Sequence, residues 1–312
     1  MVQVKLKSLE RAIEVGRIIG KYSQNIEGPK LLVTAGIHGN ETSGVAALQK
    51  IFDELKRANY PFKGEFIGLA GNLGALAQGV RFLDEDMNRA FTAEKLTKAK
   101  SGDGGSAEAR EAAELLRYIN KLRGENVEQI YFVDCHTTSS ESLPYISVEK
   151  HPASLEFALK FPVYIVEEKP GSFGGSIDSY LIGMGNTGFT FEAGQHDDMA
   201  SIENQEAAIW LALANSGCIS ADTPQVSTAS SKLRKTILEG SKRFEVVYTY
   251  KISEGENFKM KPGYINFQKI DKGEVLAYNK NGPIQSRWEG RIFMPLYQAQ
   301  GESGFYIVKK IN

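Results

Sequence analysis

The stretch KLLVTAGIHGNE, residues 30 to 41, joins a run of apolar residues to a polar turn. The run from Lys30 to Ile37 predicts a buried strand. A helix should follow from about Glu41 to Asn59, because its apolar residues recur on one face: Val45, Leu48, Phe52 and Leu55. A buried strand followed by an amphipathic helix is typical of an α/β fold.

The same alternation continues to about residue 217. Further strands are predicted at Glu65–Gly71, Gln129–Cys135, Val163–Glu167 and Gly188–Glu192, and further helices at Glu108–Arg123 and Ser201–Asn215. This pattern predicts an α/β fold with a mixed, mostly parallel sheet covered by helices on both faces. Ligands of such sheets bind at the carboxyl ends of the strands.

The composition changes after Gly217. Residues Ile219 to Lys232 are rich in Ser, Thr and Ala, as linkers are. Five strand-like runs follow, at Phe244–Tyr250, Tyr264–Phe267, Gly273–Tyr278, Gly290–Met294 and Gly304–Val308. We therefore expect a catalytic α/β domain over residues 1–220 and a small all-β domain over residues 221–312 that caps the active site.

The overall composition excludes some classes of function. The 312 residues carry 37 Lys and Arg against 38 Asp and Glu, and the net charge of −1 gives no basis for binding nucleic acid or an anionic membrane. No apolar stretch approaches the length of a membrane span, and the first residues are not expected to act as a signal sequence, because they contain no apolar core before a cleavage site. Only two cysteines occur, which fits a reducing compartment. A cytoplasmic protein is expected.

Two of the four histidines follow predicted strands. His38 and Glu41 are three residues apart at one strand end, and His136 follows another, so the three side chains should meet at one edge of the sheet. Two histidines and a glutamate, with a fourth position left open, are the ligand set of a catalytic zinc site. The alternatives are a helix-capping turn with an incidental histidine at His38 and a hydrogen-bonded core histidine at His136.

Glu192 ends the fifth predicted strand, after Phe-Thr-Phe. Zinc hydrolases need a base that takes a proton from water and passes it to the leaving amine, and Glu192 fits that role. The alternative is a carboxylate facing solvent. His151 and His196 lie in polar, turn-like sequence and are expected at the surface.

A charged segment lies between the first two groups of candidate ligands. Arg81, Asn88 and Arg89 could bind a substrate carboxylate, and an arginine beside the metal could stabilise an oxyanion. Asn72, at another strand end, is a weaker candidate for the same pocket. Without the metal motif, the segment would be interpreted as a solvated loop.

The order of these motifs resembles that of the succinylglutamate desuccinylase/aspartoacylase family of the zinc carboxypeptidase superfamily. The matching motifs are GIHGNE (36–41), DMNR (86–89), DCHTT (134–138) and FEAG (191–194). The resemblance implies a zinc carboxypeptidase-like fold, with His38, Glu41 and His136 as ligands of one Zn²⁺ per chain. It implies that Glu192 is the general base and acid, that Arg81 polarises the acyl carbonyl, and that Arg81, Asn88 and Arg89 bind substrate.

The family also has a C-terminal β domain that contributes a tyrosine to the active site. The segment around Tyr297 resembles that part of the family, which implies a substrate-binding hydroxyl there; the alternative is an aromatic residue on a strand face. One departure is clear. Aspartoacylases carry a substrate-binding arginine shortly before the catalytic glutamate, whereas residues Val163 to Phe191 contain no arginine.

Residues and resemblance together predict a zinc-dependent hydrolase that cleaves the amide bond of a small anionic N-acyl amino acid, of the N-succinylglutamate or N-acetylaspartate type. The alternatives are a zinc carboxypeptidase acting on small peptides and a non-catalytic binding protein with the same fold. The oligomeric state is not predicted.

Overall fold

The computed structural model of the chain describes residues 1–101, 105–123, 130–169, 171, 174–237 and 242–311. These residues form eight α-helices: α1 (Ser43–Ala58), α2 (Leu73–Gln78), α3 (Ala93–Ser101), α4 (Ala107–Arg123), α5 (Pro152–Leu159), α6 (Ile177–Gly183), α7 (Met199–Ser216) and α8 (Pro224–Arg234). They also form sixteen strands: β1 (Val2–Leu6), β2 (Arg11–Val15), β3 (Ile18–Tyr22), β4 (Lys30–Ala35), β5 (Glu65–Ala70), β6 (Ile130–Thr138), β7 (Tyr145–Glu149), β8 (Tyr164–Glu168), β9 (Thr187–Gln195), β10 (Arg243–Lys251), β11 (Lys259–Met260), β12 (Lys269–Ile270), β13 (Val275–Asn279), β14 (Gly282–Gln285), β15 (Gly290–Phe293) and β16 (Ser303–Lys310).

Eleven of these strands form one sheet. Its order is β12-β15-β16-β10-β8-β7-β9-β6-β4-β5-β3. Among its described strands before residue 220, four of the six pairings are parallel, and the β3–β5 and β7–β9 pairings are antiparallel. The predicted mixed, mostly parallel sheet is confirmed.

Helices cover both faces of the sheet. On one face, α1 and α7 pack against alternate residues of β4, including Leu31 and Val33. On the other face, α4 and α6 pack against Leu32 and Phe132. Both faces of the central strands are therefore buried, which explains their nearly continuous apolar sequence.

The C-terminal strands continue the same sheet. Strand β10 pairs in parallel with β8, and β16 and β15 extend the sheet beyond it. Strands β11, β13 and β14 form a separate three-stranded sheet. The predicted C-terminal β structure is present and hydrogen-bonded to the α/β region, while the boundary at residue 220 stays a prediction.

The segment predicted as a linker, residues 219–232, is largely helical. Helix α8 begins at Pro224, a residue suited to the first turn of a helix, and buries Val226, Ala229 and Leu233. This apolar face outweighs the weak helix propensity of Ser and Thr. The predicted strand at Tyr264–Phe267 is instead a turn, in which Phe267 has a φ of 65°.

The sequence pattern does not predict several of the observed elements, among them β1 to β3 and β7. Gln129, the first residue of one predicted strand, lies outside the described residues, as do Pro170, Ser172 and Phe173 of the segment before α6. Within the described part of the chain, the helices are too short or too polar to cross a membrane.

Candidate metal centre and active site

The turn after β4 depends on two glycines. Gly36 has a φ of +73°, a backbone conformation that favours glycine. At Gly39, a Cβ atom would lie 2.0 Å from the backbone carbonyl carbon of Ala75, so a side chain there would collide with α2. The tight turn brings His38 and Glu41 to the carboxyl end of the sheet.

The three candidate metal ligands come together as the sequence predicts. Glu41 lies between the two histidine rings, with Oε1 2.8 Å from His38 Nδ1 and Oε2 3.0 Å from His136 Nδ1. All three side chains are buried, and one donor atom from each lies within 4.8 Å of the others. The backbone N–H of Thr137 also donates to Glu41 Oε2, at 2.9 Å. Two imidazole nitrogens and a carboxylate so close together suit Zn²⁺.

The far side of each ring contacts another carboxylate. His38 Nε2 lies 3.0 Å from Asp86 Oδ1, and His136 Nε2 lies 2.7 Å from Asp134 Oδ2. The Thr34 hydroxyl donates to Asp134 Oδ1 at 2.6 Å. Carboxylates in this position fix the ring orientation and keep both Nδ1 atoms directed towards Glu41, where a metal ion could bind, so the surroundings of the rings also fit a zinc site.

Sequence reasoning missed the roles of these two carboxylates. Asp134 precedes His136 by two residues on a strand, so both side chains project from one face, and that spacing was an available signal. The sequence contains no such signal for Asp86, because Asp86 and His38 are distant in the chain and meet only in the folded protein.

The electrostatics of the cluster depend on these contacts. Burial alone would raise the pKa of Glu41, but the His38 and His136 rings outweigh burial and hold it well below its usual range. Burial would lower the pKa of His136, but Asp134 and Glu41 raise it well above its usual value. The pocket therefore favours a positive charge between these side chains.

Glu192 lies beside this cluster on β9. Its Cα pairs with that of His136 on β6 and with that of Tyr145 on β7. The side chain is buried, and Oε2 has no hydrogen-bond partner among the described residues. Burial, reinforced by the negative charge of Glu41, raises the pKa of Glu192 to about 7, although His136 opposes the shift. A carboxyl group with this pKa can exchange a proton near neutral pH.

Arg81 links the charged loop to the candidate ligands. Its Nη1 donates to Glu41 Oε1 at 3.3 Å and its Nη2 to Asp86 Oδ2 at 3.0 Å. The loop itself is organised by Glu108, a fully buried carboxylate that accepts hydrogen bonds from the backbone N–H groups of residues 83, 84 and 85, at 2.7, 3.0 and 3.2 Å. The segment is therefore ordered around a buried anion rather than solvated.

Asn88 and Arg89 also line the cavity that contains the cluster. Asn88 Nδ2 lies 3.4 Å from His136 Nε2, and its Oδ1 accepts the N–H of Ile177 at 3.2 Å. Arg89 Nη1 donates to the Asn88 carbonyl at 2.8 Å, and its Nε lies 3.7 Å from Glu302. The structure thus brings seven predicted site residues to one cavity: His38, Glu41, Arg81, Asn88, Arg89, His136 and Glu192.

The eighth, Tyr297, lies outside the lining of this cavity. Its hydroxyl donates to the Lys261 carbonyl at 2.9 Å and accepts the Tyr264 N–H at 3.0 Å. Both hydrogen bonds hold the side chain on the C-terminal loop in this structure, and a substrate-binding role for this hydroxyl stays a prediction. Tyr145 and Tyr306 line the cavity instead.

Two weaker predictions also differ from the structure. Asn72 caps α2 by accepting the Ala75 N–H and donates to Glu108, so it supports the loop and does not line the cavity. His196 is half-buried rather than at the surface, and its Nδ1 lies 2.7 Å from Thr137 Oγ1. His151 is also half-buried, directly before α5.

Known proteins match most of the chain in sequence. Residues 27–215 match the family model of the succinylglutamate desuccinylase/aspartoacylase catalytic domain. A succinylglutamate desuccinylase of Pseudomonas aeruginosa is 26% identical over 274 residues, covering 84% of this chain and 76% of that protein.

Solved structures share the fold. A succinylglutamate desuccinylase/aspartoacylase from Rhodobacter sphaeroides superposes with a TM-score of 0.68 at 18% identity, over 92% of this chain and 87% of the other. The product-bound ectoine utilization protein EutE of Ruegeria pomeroyi gives a TM-score of 0.66 at 20% identity, over the same shares of the two chains.

Proposed function

Because the chain belongs to the succinylglutamate desuccinylase/aspartoacylase family, we propose that it is a zinc-dependent hydrolase that cleaves the amide bond of N-acyl amino acids. The observation that carries the proposal is the position of Glu192, a buried carboxyl group with a free oxygen beside the His38–Glu41–His136 cluster. The family supports hydrolase activity, and the metal and the substrate class are the parts proposed here.

His38, Glu41 and His136 would hold the Zn²⁺, one ion per chain. The bound ion would supply a Lewis acid that polarises the acyl carbonyl and makes water more acidic. Asp86 and Asp134 would keep both rings oriented through their Nε2 atoms.

Glu192 would carry the proton through the reaction. Its unpartnered Oε2 accepts a proton as the oxygen of water bonds to the acyl carbon, and the same carboxyl group then protonates the amide nitrogen as the C–N bond breaks. The products are a carboxylate and a free amino acid. A pKa of about 7 suits a group that must accept and donate one proton in each cycle.

Arg81 would stabilise the negative charge that develops on the acyl oxygen. Two of its five N–H donors contact Glu41 and Asp86, which leaves others available at the cavity wall. Asn88 and Arg89 would bind a carboxylate of the substrate, since both line the same cavity.

The test is a hydrolysis screen of the zinc-loaded protein against N-acetyl, N-succinyl and N-formyl amino acids, with dipeptides bearing a free C-terminus beside them. We expect release of free amine from the acylated amino acids and loss of activity after chelation, restored by Zn²⁺. Cleavage of the dipeptides alone would favour a carboxypeptidase and contradict the proposal. Absence of any hydrolysis by protein with stoichiometric zinc would favour a binding protein.

A further inference from the structure

Two acidic residues outside the set of candidate metal ligands also line the cavity. Glu168 is the last residue of β8, and Asp178 lies in the first turn of α6. Both are buried and both line the cavity. This is the part of the chain, Val163 to Phe191, that contains no arginine.

The sheet sets the distance of the Glu168 strand from Glu192, whereas Asp178 lies closer, because it accepts a hydrogen bond from Thr190 on β9. Strand β7 separates β8 from β9, and Ser147 on β7 pairs with Thr190 on β9, two residues before Glu192. Neighbouring strands are about 4.8 Å apart, so the Glu168 strand lies roughly 10 Å from the Glu192 strand. A small extended substrate can span that distance.

Hydroxyl and backbone N–H groups, rather than cations, form the hydrogen bonds of both carboxyl groups. Glu168 accepts a hydrogen bond from the Ser147 hydroxyl, and Asp178 accepts from Thr190 Oγ1 at 3.3 Å and from the Ser179 N–H at 2.8 Å. Among the ion pairs of the described residues, neither acid takes part. Burial, followed by the charge of Asp178, raises the pKa of Glu168 to about 8, although the charge of Arg89 opposes the shift.

A second polar group of the cavity also lacks a partner. The Tyr145 side chain is fully buried and lines the cavity, yet its hydroxyl makes no hydrogen bond to the described residues. The nearby amide of Asn266 is bonded to Ser142 Oγ and to the Met294 N–H instead. Buried hydroxyls are nearly always hydrogen-bonded, so this one is available for a bound molecule.

The charged residues that line the cavity also favour a cation. The lining residues include six carboxyl groups, two arginines and two histidines: Glu41, Asp86, Glu168, Asp178, Glu192 and Glu302, with Arg81, Arg89, His38 and His136. The lining therefore contains more carboxyl groups than basic side chains, even when both histidines are counted with the arginines. The carboxyl groups of Glu168 and Asp178 are better suited to a cationic substrate group than to an additional anionic one.

We propose that Glu168 and Asp178 bind an ammonium or guanidinium group of the substrate, so that the preferred N-acyl amino acid carries a positive charge. This inference rests on the proposed function. It changes the expected substrate from an anion, such as N-succinylglutamate, to a molecule with a cationic arm several bonds from the scissile amide.

Two matched substrate series test the proposal and locate the charge. On the amine side these are Nα-acetyl derivatives of lysine, norleucine and 2-aminoadipate, which are cationic, neutral and anionic at similar length. On the acyl side they are 4-aminobutyryl-, butyryl- and succinyl-leucine. We expect the cationic member of one series to exceed its neutral member in kcat/KM by roughly 10- to 100-fold, the range of a charged hydrogen bond. Preference for the anionic or neutral member in both series would overturn the proposal.

Glu168→Gln removes the charge and keeps the acceptor for Ser147. This variant should lose roughly 10- to 100-fold in kcat/KM for the preferred cationic substrate and leave its neutral analogue unchanged. Glu149→Gln is the neighbouring control, because Glu149, the last residue of β7, pairs with Glu168 across the β7–β8 ladder but bonds Ser179 Oγ and does not line the cavity. Equal losses for cationic and neutral substrates in Glu168→Gln would indicate a structural effect and contradict the proposal.

A binding measurement separates this inference from the proposed function. Calorimetric titration of zinc-loaded protein with lysine and norleucine, or with 4-aminobutyrate and butyrate, should show tighter binding of the cationic member of one pair, weakened by Glu168→Gln. If hydrolysis fails while this preference persists, the proposed reaction is wrong and the cation site stands. If hydrolysis proceeds with no preference for a cation, the site is wrong and the reaction stands.

Discussion

Glu192 and His136 are direct neighbours across the β6–β9 ladder, so the proposed base and a proposed ligand are held by the same pair of parallel strands. A rigid pairing of this kind fixes two groups relative to each other better than two loops could. Glu192 is therefore held beside the candidate metal ligands without being one of them.

Replacing Glu192 with Gln should lower kcat by about 10²- to 10⁴-fold, because the amide cannot accept or donate the proton. Zinc content should be unchanged, since Glu192 does not belong to the cluster of candidate ligands. Steady-state kinetics with elemental analysis check this. A variant that keeps most of its activity would show that another group carries the proton.

The pH dependence of kcat/KM should have an acidic limb set by Glu192. The carboxylate form accepts the proton, and its pKa of about 7 means that this form disappears as the pH falls below 7. Activity should then fall about tenfold per pH unit, with the limb at lower pH if the bound ion stabilises the carboxylate. The limb should disappear from the residual activity of Glu192→Gln; a limb that persists would belong to another group.

Asp134→Asn should weaken zinc binding by about 10- to 100-fold, because an uncharged amide accepts the Nε2 N–H of His136 more weakly than a carboxylate does. Competition with a chromophoric chelator measures the affinity. Asp197→Asn provides the control, since Asp197 is exposed and pairs with Lys7. Equal affinity in the two variants would show that Asp134 does not orient the ring.

Glu108→Gln should destabilise the protein by about 1–3 kcal/mol, since one acceptor oxygen is replaced by a donor that faces backbone N–H groups. Denaturant unfolding gives this free energy. Glu94→Gln should leave the unfolding midpoint unchanged, because Glu94 is exposed. If the two variants unfold alike, the buried carboxylate is not what orders the Arg81 loop.

Tyr297→Phe should leave kcat/KM unchanged, because the Tyr297 hydroxyl bonds the backbone of residues 261 and 264. Tyr145→Phe, which removes a hydroxyl from the cavity wall, should raise KM. Kinetics on one substrate compare the two. A large loss for Tyr297→Phe alone would mean that the C-terminal loop rearranges when substrate binds.

Much of the site could be predicted because its residues follow strands. His38 and His136 lie near the ends of neighbouring parallel strands, β4 and β6, and the alternation of apolar and helical segments is enough to place such ends together. Glu192 follows from the same argument on β9. These positions depend on local patterns and on one topological rule.

The remaining features depend on long-range packing. Tyr145 lines the cavity because it lies on β7, a short strand that pairs antiparallel with β9. The sequence pattern does not predict this strand. Asp86 contacts His38 because Glu108, more than twenty residues later, accepts hydrogen bonds from the backbone of the loop that carries Asp86. The propensity of a short segment cannot predict such contacts, since partners distant in the chain determine them.

The parallel pairing of β10 with β8 has a consequence for folding cooperativity. Strand β8 would become an edge of the sheet if the chain ended near residue 220, and its backbone groups on that side would lose the partners that β10 supplies. An exposed edge of this kind recruits strands from other molecules. The C-terminal segment thus protects the α/β region from aggregation, and shortened chains should self-associate before they lose their helices.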